Sequence, residues 1–114
     1  MKNLVRPHFA LQELWSHDDH SFVANDHALD LLEALRVRVG PLVVVSAFRS
    51  PKRNSAVHGA ENSLHMQGRA FDLLWNGYSK FELLSEAMAV GFTGLGLYAT
   101  WLHVDDGAPR VWWQ

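Results

Sequence analysis

Gly94-Leu95-Gly96-Leu97-Tyr98-Ala99-Thr100-Trp101-Leu102-His103-Val104-Asp105, followed closely by Arg110-Val111-Trp112-Trp113, is the stretch that decides the fold. It reads as three short strands, Gly94–Tyr98, Trp101–Asp105 and Arg110–Trp113, broken by turn residues and rich in aromatic and branched side chains. The Gly94-Leu95-Gly96 pair is no phosphate loop, because no helix signal follows it. Upstream of these strands the apolar spacing changes to that of a helix. Asn25 is a helix N-cap, and Ala28, Leu31, Leu32, Leu35 and Val39 recur at helical spacing until Gly40-Pro41 stops them. Ser79-Lys80-Phe81-Glu82 fits a capping box, opening a helix whose Phe81, Leu84 and Met88 share one face before Gly91. A third, shorter helix is expected from Pro51 to about Val57.

Two more strands complete the reading. Leu42–Ser46 is a β-branched run expected to be buried, and Arg69–Trp75 is a second strand. Phe9–Leu14 reads as a short helix or turn, ahead of the polar cluster Ser16–His20. Helices followed by a largely antiparallel stretch predict an α+β fold, a small single domain spanning 1–114 with helices packed on a central antiparallel sheet. Trp75, Trp112 and Trp113 could form a sugar-stacking groove, but strand tryptophans in so small a protein more often fill the core.

Composition narrows the function classes. The 114 residues fit one core, and no run approaches the roughly 20 apolar residues that a bilayer-spanning helix needs. There is no cysteine, which excludes disulfides, thiolate nucleophiles and cysteine-ligated metals. A net charge of −2 without a basic run argues against a nucleic-acid partner. Met1–Pro7 carries no long apolar segment, so no secretory leader is expected there. Nothing demands an oligomer, and a monomer is expected.

Seven histidines in so short a chain turn attention to metal chemistry. His8, His17, His20 and His27 lie in polar or helix-start surroundings and read as solvated. The informative segment is Ser63-Leu64-His65-Met66-Gln67-Gly68-Arg69-Ala70-Phe71-Asp72, with His103-Val104-Asp105 some thirty residues later. Zinc takes about four tetrahedral positions, and two histidines, one carboxylate and a water make a hydrolytic site. His65 and Asp72 can converge if His65 ends a loop and Asp72 points inward from the next strand, with Gly68 turning the backbone between them. On spacing alone the alternatives stay open: a loop histidine, a capping aspartate, and a surface ion pair between His103 and Asp105.

The string S-x-H-x-x-G-x-A-x-D followed by H-x-D resembles the zinc D-Ala-D-Ala carboxypeptidase family. That family belongs with lysostaphin-type peptidases, vancomycin-resistance dipeptidases and hedgehog signalling domains. The likeness is nearest to its small murein endopeptidase and phage endolysin branch. There a segment like Val45-Ser46-Ala47-Phe48-Arg49-Ser50-Pro51 leads through Asn54 and Gly59-Ala60 to the metal motif. It also extends over the closing Trp101–Asp105, Gly107 and Arg110–Trp112. The resemblance implies a hedgehog and D-Ala-D-Ala peptidase-like fold. It also implies zinc held by His65, Asp72 and His103, and a peptidoglycan peptide as substrate. Arg49 would face that substrate, and Ser63 would stand beside the site.

One departure affects the proton carrier. Several relatives place a glutamate three residues, or a histidine two residues, before the last ligand; here those positions hold Thr100 and Trp101. Asp105, Glu61 and His58 are the nearest candidates, and Asp105 is preferred as a catalytic residue over a role orienting a ligand histidine. The expectation is a peptidase acting in phage or prophage lysis or wall remodelling, reaching the wall from the host cytoplasm or carried on the virion. The alternative is a non-catalytic zinc-containing module of the same fold.

Overall fold

The computed structural model describes residues 3–114; Met1 and Lys2, the start of the segment read for a leader, lie outside the described residues. β1 (Leu4–Arg6) and β2 (Phe9–Ala10) form a small antiparallel ladder. A single 3-10 turn, Leu11–Glu13, follows where a short helix or turn was expected. α1 runs Asp26–Val39, and the Asn25 side chain accepts the Ala28 N–H at 3.0 Å, as the N-cap reading requires. Then come β3 (Val44–Ser46), α2 (Pro51–Ala56), a 3-10 turn at Leu64–Gln67, β4 (Ala70–Leu74) and α3 (Lys80–Val90). The chain closes with β5 (Gly94–Leu97), β6 (Trp101–Asp105) and β7 (Arg110–Trp113).

The five-stranded sheet has the order β3-β4-β6-β5-β7. Its pairings are antiparallel except the last, because β7 returns to the outer edge and runs parallel to β5. The sheet is therefore mixed, not wholly antiparallel as expected. Alternation of side chains along each strand sorts the residues onto two faces. Phe71 and Leu73 of β4 lie opposite Val104 and Leu102 of β6, and Leu95 of β5 lies opposite Val104. These join Leu29, Leu32 and Leu35 of α1 and Leu83 and Ala87 of α3 in one buried cluster. The other face carries Asp72, His103 and Gly96 in a single row across β4, β6 and β5.

Four expectations need correction. On α3 the face Phe81–Leu84–Met88 is not the packed one: Phe81 is 81% and Met88 55% exposed, while Leu83 and Ala87 are fully buried. The Ser79 hydroxyl does cap α3 by accepting the Glu82 N–H, but among the described residues no bond returns from the Glu82 carboxylate. The Leu42–Ser46 run is an edge strand with Val43 and Val45 exposed, so its branched residues reflect strand geometry more than burial. Of the three tryptophans only Trp75 is buried; Trp113 is 77% exposed on the outer edge strand. Among the described residues, no helix is long and apolar enough to cross a membrane.

Candidate metal centre

His65 lies in the 3-10 turn Leu64–Gln67, and Ser63 immediately before it accepts the His65 N–H with its hydroxyl at 3.2 Å. Gly68 ends the turn in the left-handed region, φ 69°, and a Cβ there would collide with the Val23 carbonyl. Only glycine fits such a bend against backbone. The bend delivers the chain into β4, where Asp72 faces away from the core, and the register sets Asp72 directly opposite His103. Three residues far apart in sequence thus meet because one turn and one strand pairing oblige them to. Each offers a ligand atom within 4.8 Å of the others.

Hydrogen bonding outside the group fixes which atoms face inward. The Nδ1 of His65 is 2.7 Å from the Ala47 carbonyl oxygen, which can only accept, so Nδ1 carries the hydrogen. Its Nε2 lone pair then points at Asp72 Oδ2, 3.3 Å away. On His103, Nε2 lies 2.6 Å from Asp105 Oδ2 and Nδ1 lies 3.1 Å from Asp72 Oδ1. With Nε2 donating to Asp105, a second lone pair is turned on the same carboxylate. Two acceptor nitrogens facing an anion repel unless a cation stands between them, a proton or a metal ion. The separations also suit a metal: ligands about 2.0–2.2 Å from a tetrahedral zinc are roughly 3.3–3.5 Å apart. Two imidazoles and a carboxylate are a donor set that zinc accepts.

The electrostatics keep the group in its ligating form. Burial pushes the Asp72 carboxyl upward, but hydrogen bonds and charge from His103 and His65 outweigh it and hold Asp72 well below the usual carboxylate range. Asp105 behaves alike: burial raises it, and His103, Arg110 and the Gly107 N–H bring it well below normal. For His103 burial lowers the pKa, and its two aspartate partners turn the net shift upward.

Asp105 is fully buried behind His103, not a surface partner of it. Its carboxylate accepts from Arg110 Nη1 at 2.9 Å and Nη2 at 2.7 Å, from the Gly107 N–H at 2.9 Å, and meets His103 Nε2. A Cβ on Gly94 would strike this carboxylate and Arg110, and one on Gly96 would strike the Trp112 ring. The two glycines of β5 therefore make room for the brace. Trp112 lies 5.2 Å from the His103 ring, and the Arg110 guanidinium covers Trp112 at 4.9 Å. Sequence reasoning missed this support; the matching alternation of β5, β6 and β7 was the signal that could have shown it.

Arg49 lies in the loop between β3 and α2, and its backbone N–H donates to the His65 carbonyl at 3.0 Å. Its side chain reaches Asp72 Oδ2, the Ser46 hydroxyl and Asn54 Oδ1, each at 3.2 Å. Asn54 is buried and donates in turn to the Ala60 carbonyl, and Gly59 is a glycine because a Cβ there would collide with Asn54. The structure thus brings Arg49, His65, Asp72, His103 and Asp105 together. A cavity of about 430 Å³ is lined by His65, Asp72 and His103 and by Arg49, His58, Ser63, Tyr98, Trp101 and Trp112. Tyr98 and Trp101 stack on one another, ring centres 4.8 Å apart. His58 reaches this cavity; Glu61 is not among its lining residues.

A family model described as Peptidase M15 matches residues 7–105. The chain is 38% identical over 88 residues to a zinc D-Ala-D-Ala carboxypeptidase of Streptomyces albus G, covering 71% of this chain and 34% of that protein. It is 31% identical over 85 residues to a probable peptidoglycan L,D-endopeptidase, MepK, of Haemophilus influenzae, covering 68% of this chain and 46% of the relative. The matched part is less than half the length of either relative.

Proposed function

Since the chain belongs to the peptidase M15 family, we propose that it is a zinc peptidase hydrolysing an amide bond in the stem or cross-link peptides of peptidoglycan. The observation that carries this reading is the convergence of two imidazole lone pairs on the Asp72 carboxylate beside an open cavity. One relative is named for peptidoglycan and the other for zinc and D-Ala-D-Ala, which supports the metal and the substrate class. Bound by His65, Asp72 and His103, zinc supplies a Lewis acid for the scissile carbonyl and lowers the pKa of an attacking water toward neutrality.

The chain's own groups do the rest. The Ala47 carbonyl and Asp105 hold the two rings in the tautomers that expose Nε2 of His65 and Nδ1 of His103. With every face of its carboxylate engaged, Asp105 is better suited to positioning His103 than to the proton transfer expected of it. His58, which reaches the cavity, is the remaining titratable candidate for carrying the proton to the leaving amine. Arg49 is a planar donor fork beside Asp72, placed to hold a substrate carbonyl or carboxylate at the cleft. Ser63 is assigned to substrate contact through the cavity wall, in addition to capping the His65 turn. The resemblance of the Trp101–Trp112 stretch to the small murein endopeptidase and phage endolysin branch favours a role in lysis or wall remodelling.

Digestion of purified peptidoglycan by the zinc-loaded protein, with Asp72→Ala as control and mass analysis of the fragments, tests the reading. New amine ends that vanish in the control are expected. Intact wall after exposure to a folded, stoichiometrically zinc-loaded protein would exclude hydrolysis and leave a binding module of this fold.

A further inference from the structure

Tyr98 follows β5 directly, in the turn that leads to β6. It is held at four points. Its N–H donates to the Trp101 carbonyl, and its own carbonyl accepts the Trp75 Nε1–H, each at 3.0 Å. Its ring stacks on Trp101 with 11° between the planes. Its hydroxyl oxygen accepts the Trp112 Nε1–H at 3.1 Å. Trp112 is itself fixed, since Gly96 leaves room for its ring and Arg110 covers it.

The bond from Trp112 uses a lone pair of the Tyr98 oxygen. Among the described residues nothing accepts the Tyr98 hydrogen, so the phenol still has a donor to spend. Conjugation keeps that hydrogen near the plane of a ring which cannot turn, whereas the Ser63 hydroxyl on the same cavity rotates about a single bond. Tyr98, Arg49 and the His65–Asp72–His103 group all line one cavity. Burial lowers the pKa of Arg49, while Asp72 and, more weakly, Tyr98 raise it, so the phenol stands near the guanidinium. Arg49 differs in having its donors engaged: Nε meets Ser46, Nη1 meets Asn54 and Nη2 meets Asp72.

We propose that Tyr98 is a catalytic residue, whose hydroxyl donates a hydrogen bond to the oxygen of the scissile carbonyl as that oxygen gains negative charge. The proposal rests on the peptidase reading of the cleft. The phenol keeps its proton throughout, and the proton released by the attacking water reaches the leaving amine through a separate carrier. A hydrogen bond that strengthens only as charge develops acts on the chemical step more than on binding. A donor already fixed in place costs no reorganisation at that moment, and the four restraints on Tyr98 supply that fixity.

Tyr98→Phe keeps the ring and its stack and removes the hydroxyl alone. With the zinc-loaded protein and a purified cross-linked muropeptide, kcat is expected to fall by about 100-fold or more, with KM nearly unchanged. Zinc affinity from chelator competition and the melting temperature should stay at the wild-type values. A phosphinate analogue of the bond that is cut gives a readout without turnover, and Tyr98→Phe should weaken its binding by a factor matching the loss in kcat/KM. An unchanged kcat, or unchanged phosphinate binding, overturns the proposal and leaves the peptidase reading standing. A loss confined to KM, or one matched by an equal loss of zinc affinity, overturns it as well, because it marks a binding or structural role. A wild type that cleaves no muropeptide removes the peptidase reading and this assignment with it.

Discussion

At the scale of single residues, the site depends on groups that never touch a metal. Replacing Asp105 by Asn keeps the shape but leaves Arg110 facing a neutral amide and frees the tautomer of His103. Removing such an outer partner weakens metal binding by about 10- to 100-fold, and competition with a chelator should show a loss of that order for Asp105→Asn. The His65–Asp72–His103 set and Arg49 were legible in sequence because they recur in a familiar motif. The brace was not, since the roles of Gly94, Gly96, Arg110 and Trp112 exist only once β5, β6 and β7 are in register. Asp105 was legible as a partner of His103, but its four hydrogen bonds were not, because they come from three separate parts of the fold.

Asp18 is a second residue-scale case. The Ser16 and Ser50 hydroxyls, in that order, pull its pKa down to about 2. A carboxylate depressed on folding adds stability that is present above its unfolded pKa, near 4, and lost as pH falls through the folded value. The urea midpoint of the wild type should therefore fall relative to Asp18→Asn between about pH 4 and pH 2. Above pH 5 the gap between the two proteins should stay constant.

Elements obey their faces, and α3 is the instructive one. Phe81, Leu84 and Met88 satisfy helical spacing, yet the helix turns Leu83 and Ala87 inward. Spacing names a stripe without saying which of two apolar stripes meets the sheet. The choice falls to Leu83 and Ala87, which pack into the cluster shared with α1 and the sheet. Leu83→Ala should cost about 2–5 kcal/mol, whereas Phe81→Gln should change stability by less than about 0.5 kcal/mol; chemical denaturation distinguishes them. By contrast α1 was readable at both ends, because Asn25 and Gly40 mark its limits, although Leu29, outside the expected stripe, is buried in place of Leu31 and Val39.

For the whole molecule, the sheet separates two tasks. One face joins α1 and α3 in the core, and the other holds the charged group, so the buried ions never compete with apolar packing. Metal binding to the folded state alone should then raise the melting temperature. At zinc concentrations 100-fold above its Kd the gain is about 2.7 kcal/mol, and it should vanish in His65→Ala. Calorimetry with and without a chelator measures both. Helices, strands and their order were visible in the pattern of apolar residues, but the parallel seat of β7 was not, since no local signal states which edge a final strand will choose.

That seat bears on how the protein comes into being during synthesis. A growing chain offers His65 and Asp72 first and His103 much later, while Arg110 and Trp112 emerge later still. Until β7 settles beside β5, Asp105 lacks its two bonds from Arg110, and His103 lacks the Trp112 ring beside it. The brace around the candidate metal group is thus completed only by β7, and a chain not yet that long carries His65, Asp72 and His103 with part of their support missing.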